Sequence, residues 1–356
     1  MTNLYDRIFG CIAASHIGSA MGAPVEGWDK DRIAKEHGIL DRLLPYEHYR
    51  NGWIRPPGTT EDGIERQKLM LTAIIEKQDR VTAEDVVRIW LRDIKPQSDG
   101  MVSEPFEKTL LAMARAGIPA QHIGRYCPWD GLVTMSRSCH GIGIINACDP
   151  EGAVRDIYDV GLLYNTLVGD GLKWAAVVAA GIASAFSPGS TVESVIQAAL
   201  GVAHERVRRE LVRGLEIADR YHEAFSMRDA FYEIYNGRGT PYAQSWANEV
   251  VSKAFAVFKV TKGDPQTAIV ASVNFGRDTD CLAAISGGLA GALSGGSTLR
   301  AEWISQVDEA TKKNIYTNSQ RTLKETADGL YRALLARIEK GRRWADALSG
   351  QVGSPS

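Results

Sequence analysis

Three short stretches hold residue types that bind hard cations or move protons. The first is Pro56-Pro57-Gly58-Thr59-Thr60-Glu61-Asp62-Gly63. A rigid Pro-Pro-Gly turn leads here into a helix whose opening carries a hydroxyl and two adjacent carboxylates, the oxygen donors that magnesium or calcium requires. Thr59-x-x-Asp62 also fits a capping box, and acids suit the first turn of any helix. The second is Gly276-Arg277-Asp278-Thr279-Asp280-Cys281, followed by a run of small and apolar residues from Leu282 to Leu293. Two carboxylates at the mouth of a buried helix pay a desolvation cost unless a cation meets them, and either a metal or Arg277 would serve. Asp278 as a plain N-cap is the simpler alternative. The third stretch runs from Gly10 to Glu26, where Ala14, Gly18 and Gly22 space small residues along one helix and Pro24 ends it, leaving Glu26 in the following loop. By itself it reads as a closely packed core helix followed by a solvated glutamate.

In this order and at these separations the three stretches resemble the ADP-ribosylglycohydrolase family. Its members open with G-x-x-x-G-x-x-x-G-D-A-x-G-x-x-x-E, carry T-D-D-T some tens of residues later, and place G-G-D-T-D-T before a small-residue helix late in the chain. The corresponding stretches here are Gly10 to Glu26, Thr60-Glu61-Asp62-Gly63 and Gly276 to Cys281. The resemblance, which spans about residues 4–296, implies an all-α, compact multi-helix fold around a central binuclear metal site. It implies two divalent cations, Mg²⁺ or Mn²⁺, on Thr60, Glu61, Asp62, Asp278 and Asp280. Asp62, Asp278 and the loop residue Glu26 become the candidates for acid–base chemistry. The implied reaction is hydrolysis of an N- or O-glycosidic bond of a ribosyl-type compound. Carboxylates would stabilise an oxocarbenium-like centre while a positioned water attacks.

Departures from the pattern bear on the substrate. Ser19 stands for an aspartate, Glu61 for an aspartate, Gly63 for a threonine, and Cys281 for a threonine that is often a ligand. A thiol is a poor partner for magnesium. The expected substrate is an ADP-ribosylated protein or a small nucleoside, nucleotide or sugar conjugate. Trp53 and Trp129 are candidates for stacking on a base or sugar, and Arg55 and Arg277 for meeting a phosphate; loop aromatics of this kind also commonly cover core edges. A non-catalytic protein of the same fold is the alternative. A phosphotransfer enzyme using Asp278-x-Asp280 would instead need a parallel strand before Asp278. Ser138-Cys139-His140 juxtaposes nucleophiles and a base in sequence, where side chains seldom converge.

Positioning these groups calls for helices. Apolar residues recur at helical spacing, and helices are predicted at roughly 4–22, 60–78, 83–95, 104–116, 149–164, 170–187, 190–224, 244–262, 279–294 and 318–345. With 356 residues, 44% of them apolar, a sizeable core is available; one domain over 1–349 is expected, with Gly350 to Ser356 a disordered tail. Acidic and basic residues number 43 and 41, which argues against nucleic acid or a membrane surface held by bulk charge. Five cysteines without a CxxC pair fit a reducing cytoplasm, and neither a signal peptide nor a membrane span is read.

Overall fold

The computed structural model describes residues 3–47, 52–95, 105–235 and 245–350. Among them are eighteen α-helices and one two-stranded antiparallel ribbon, Tyr46–Glu47 against Ile54–Arg55. The expected all-α fold is what the chain adopts. The parallel strand that a phosphotransfer reading needs is not there: the element before Asp278 is the helix Pro265–Val273. The Gly237–Pro241 turn, and the tail from Gln351 onward, lie outside the described residues.

Two helices at the centre bring the chemistry together. Leu4–Gly22 and Thr279–Ser294 are almost wholly buried, and they touch backbone to backbone. A Cβ on Gly18 would stand 2.4 Å from the Ala283 carbonyl oxygen, one on Gly22 2.5 Å from the Asp280 nitrogen, and one on Gly291 2.1 Å from the Gly10 oxygen. The small-residue spacing read in the sequence is therefore a requirement of this contact. By composition the first helix, extended to Val25, is long and apolar enough to cross a membrane, yet its most apolar stretch is 89% buried inside the fold.

Eight of the ten predicted helices are found within a few residues of their expected ends. The span 190–224 is instead two helices, Val192–Val202 and Glu205–Arg220. Gly201 sits in the last turn of the first, Ala203 turns extended and the His204 side chain caps the second helix. The last helix, Leu323–Ser349, starts later than predicted because Thr322 and Glu325 form its capping box. Helices at Lys30–His37, Pro265–Val273 and Ala301–Lys312 were not anticipated. The second carries an Asp264 cap and a proline in its first turn, a start signal visible in the sequence.

Candidate metal centre

Asp62 opens the helix Asp62–Lys77, with Glu61 as its N-cap. The turn before it is set by Gly58, whose φ of 91° excludes most side chains. Ser19, on the first central helix, accepts a hydrogen bond from the Glu61 backbone nitrogen at 3.2 Å. That bond ties the first acidic cluster to the helix packed directly against the one that carries the second. On the other side, Thr279 Oγ1 donates to the Gly22 carbonyl at 2.8 Å. The loop holding Glu26 is pinned to the second cluster by two backbone bonds, Gly27 to the Arg277 carbonyl at 2.8 Å and Arg277 to the Trp28 carbonyl at 2.6 Å.

The five expected ligands meet different surroundings. Asp278 and Asp280 are each 3% exposed. Both oxygens of Asp278 and Oδ1 of Asp280 have no hydrogen-bond partner among the described residues. With Cys281 they form a group whose ligand atoms lie within 4.8 Å of one another. Burial, then the charge of Asp278, pushes Asp280 well above the usual carboxylate range, and burial raises Asp278. Glu26 is held well above its ordinary value, by burial and then by Asp280, Asp278, Glu61 and Asp62. All five carboxylates thus act on one region, where bringing in a cation would relieve them.

The first cluster is already provided with donors. Asp62 Oδ2 receives Arg66 at 2.7 Å and Arg137 at 3.0 Å. Glu61 Oε1 accepts the Tyr46 hydroxyl at 2.7 Å and lies 3.8 Å from Arg55 Nε. Thr60 Oγ1 donates to Glu65 at 2.9 Å and accepts from Lys68 at 3.0 Å. Its hydroxyl therefore serves a buried network with Lys68, Glu65 and Asn314. The hard, unsatisfied oxygens that fit a magnesium or manganese ion are those of Asp278 and Asp280.

The expected substrate contacts divide as well. Arg55 is buried, with its guanidinium 4.5 Å from the centre of the Trp53 ring and NH2 donating to Tyr316 at 2.6 Å. Trp53 and Tyr316 line a small cavity of 140 Å³ beside Thr60 and Lys68. Arg277 turns away onto Glu249, at 2.5 and 2.9 Å, and Glu249 also holds Lys253 at 2.5 Å. Its φ of 69° is a left-handed conformation that the backbone pairing with Trp28 maintains. Trp129 packs half-buried on the core, its carbonyl accepting from Asn165. A separate cleft of 660 Å³ lies beyond Gly131, between Trp174, Trp246 and Arg206. Ser138 donates to the Thr134 carbonyl and Cys139 to Ser136, while His140, buried and lowered to about 4, sits between Gln67 and the Ala284 carbonyl. No nucleophile–base pair forms there.

Sequence reasoning missed Arg66, Arg137 and Glu249. Arg66 was findable, since it lies one helical turn after Asp62. Arg137 comes from a distant short helix, Thr134–Ser138, whose segment resembles a substrate-facing loop of the family without pointing to Asp62 as its partner, and Glu249 comes from Ala247–Val260, where no local signal marks it.

A family model described as ADP-ribosylglycohydrolase matches residues 1–341. The chain belongs to the ADP-ribosylglycohydrolase family. It is 25% identical over 341 residues to a protein of Escherichia coli (strain K12), Uncharacterized protein YegU, covering 91% of this chain and 96% of that one. A solved structure described as an ADP-ribosylglycohydrolase-related protein complex shares the fold, with a TM-score of 0.65 at 16% identity over 94% of this chain and all of the other. Membership in a family of glycohydrolases makes hydrolysis the chemistry against which the centre is to be read.

Proposed function

We propose that this protein is a divalent-cation-dependent glycohydrolase that cleaves an N- or O-glycosidic bond of a ribosyl-type substrate, either an ADP-ribosyl conjugate or a small nucleoside, nucleotide or sugar conjugate. The observation that carries the reading is the pair Asp278 and Asp280, buried with three carboxylate oxygens lacking a donor, in a member of a glycohydrolase family. A magnesium or manganese ion on these oxygens would polarise ribose hydroxyls and an attacking water.

The chain's own residues supply the rest. Glu26 lies on a loop anchored at Gly27, shares the field of the other four carboxylates, and is the group to take the proton from water. Asp62, gripped by Arg66 and Arg137, is a fixed negative charge for the oxocarbenium-like centre. Arg55 and Trp53, with Tyr316, form one wall toward which a base or phosphate would lie. We further read residues 1–349 as one folded unit working in a reducing compartment such as the cytoplasm, which its five unpaired cysteines suit.

The test is a panel of ADP-ribosylated protein, ADP-ribosyl-arginine and free nucleosides, assayed with chelator and with Mg²⁺ or Mn²⁺. Cation-dependent turnover of one class, lost in Asp280→Ala, is expected; no turnover of any would refute it. A second reading, a non-catalytic protein of this fold, draws on the engagement of Thr60 and Asp62 by the protein's own lysine and arginines. It predicts a purified protein with no bound divalent ion and no thermal stabilisation when one is added.

A further inference from the structure

We propose that Arg137 fills the place of a second cation in this centre, so that the chain binds a single divalent ion, at Asp278 and Asp280. The inference rests on the cation-dependent reading above and concerns the number of ions.

Arg137 spans from Asp62 to Cys281, the residue that follows Asp280. NH1 is 3.0 Å from Asp62 Oδ1, NH2 is 3.0 Å from Asp62 Oδ2, and NH1 is also 3.2 Å from Cys281 Sγ. This is the two-point grip of a planar guanidinium on a carboxylate. The side chain is buried, and the residue's carbonyl is fixed by a 3.1 Å bond from Gln67 Nε2. It is a built part of the site rather than a surface group that has swung in.

Two positions where the sequence departs from the family pattern explain how it fits. A Cβ on Gly63 would stand 2.4 Å from Arg137 Cδ and 2.6 Å from its Nε, so any larger residue there collides with the arginine. Cys281, at the other end, puts a sulfur 3.2 Å from the guanidinium. Gly63 and Cys281 are unrelated in sequence, and Arg137 is what they share.

Charge leads to the same number. Glu26, Glu61, Asp62, Asp278 and Asp280 carry five negative charges when ionised, and Arg55, Arg66 and Arg137 return three positive ones. The remainder is the charge of one divalent ion. Behind Asp278, Glu249 holds Lys253 and Arg277 together, one cation more than it neutralises, so one divalent ion brings the whole to +1 and two would bring it to +3. The larger uncompensated charge left by two ions is what the low dielectric of a buried centre penalises.

The experiment is titration of the chelator-treated full chain with Mn²⁺, with the ion count taken by calorimetry and the ion environment by electron paramagnetic resonance. Wild-type protein is expected to bind one ion with the spectrum of an isolated Mn²⁺. Two ions of similar affinity with a spin-coupled spectrum would overturn the proposal while leaving cation dependence intact. No ion at all would overturn both. Arg137→Ala is expected to admit a second, weaker ion and to gain more in melting temperature from Mn²⁺ than wild type does. A folded Arg137→Ala that still takes one ion would refute the role given to Arg137. Should that variant not fold, Gly63→Thr, which forces the guanidinium aside, is expected to show the same second ion, and a count of one in it would count against the proposal in the same way.

Discussion

Replacing Asp280 by asparagine should make the protein more stable in chelator and blind to Mn²⁺. The ligand atoms of Asp278 and Asp280 lie within 4.8 Å of each other. At an effective dielectric of about 20, two full charges at that separation repel by about 3 kcal/mol. Proton uptake by the raised carboxyls already relieves part of this, so Asp280→Asn recovers about 1 to 3 kcal/mol. The new amide can also donate to Asp278, whose oxygens otherwise have no donor among the described residues. Unfolding entropy of about 2.1 cal/mol/K per residue gives about 0.75 kcal/mol/K for a chain of 356 residues. The gain is then about 1 to 4 °C in melting temperature. Adding Mn²⁺ at about 100 times its dissociation constant stabilises wild type by about 2.7 kcal/mol, or about 4 °C, and the variant not at all. Differential scanning fluorimetry in chelator and in Mn²⁺ reads both effects. A variant that melts below wild type in chelator and shifts equally with Mn²⁺ would show that Asp280 neither suffers the repulsion nor holds the ion.

Three further outcomes follow from the same geometry. Because Asp280 and Glu26 are raised in the folded chain, they favour the fold below the ordinary carboxylate value of about 4, and that contribution is lost as pH rises through their raised values. In chelator the melting temperature of wild type should therefore fall with rising pH more steeply than that of Asp280→Asn, while Mn²⁺ affinity should rise over the same range; a Mn²⁺ affinity independent of pH would contradict this. Glu249→Ala leaves Lys253 buried without its carboxylate and Arg277 without its bidentate partner, and should cost about 3 to 5 kcal/mol by chemical denaturation; a loss below about 1 kcal/mol would show the pair to be dispensable. Gly18→Ala puts a methyl 2.4 Å from the Ala283 oxygen and should cost about 1 to 3 kcal/mol while weakening Mn²⁺ binding, since the contact it opens also seats Asp280; unaltered stability would mean the two central helices have slack.

The fold was largely legible because its central feature is local and repetitive. The small residues of Gly10 to Gly22 and of Leu282 to Leu293 each announce a helix that something must approach closely, and the two approach each other. The acidic residues at the helix mouths were legible for the same reason, as oxygen donors with nothing nearby in sequence to neutralise them. What the sequence hid is who neutralises them. Arg137 comes from 75 residues beyond Asp62, and Glu249 lies 28 residues from Arg277, so neither pairing leaves a spacing to read. Arg277 was expected to face a phosphate because a loop arginine beside acids usually has no other partner in view; the partner sits on a helix that only the fold brings near. Thr60 occupies a ligand's position in the motif, and its hydroxyl hydrogen-bonds Glu65 and Lys68, partners the sequence does not announce. The split of 190–224 rests on the weak signal of a lone Gly201 in the last turn of the first helix and on His204, an uncommon capping residue, at the start of the second.

Everything proposed for this centre requires that Asp278 and Asp280 hold a divalent cation. Anomalous diffraction from crystals soaked in Mn²⁺ tests it most directly. One peak at about 2.2 Å from oxygens of both aspartates is expected. A chain that takes up Mn²⁺ elsewhere, leaving Asp278 and Asp280 with no peak between them, would contradict it.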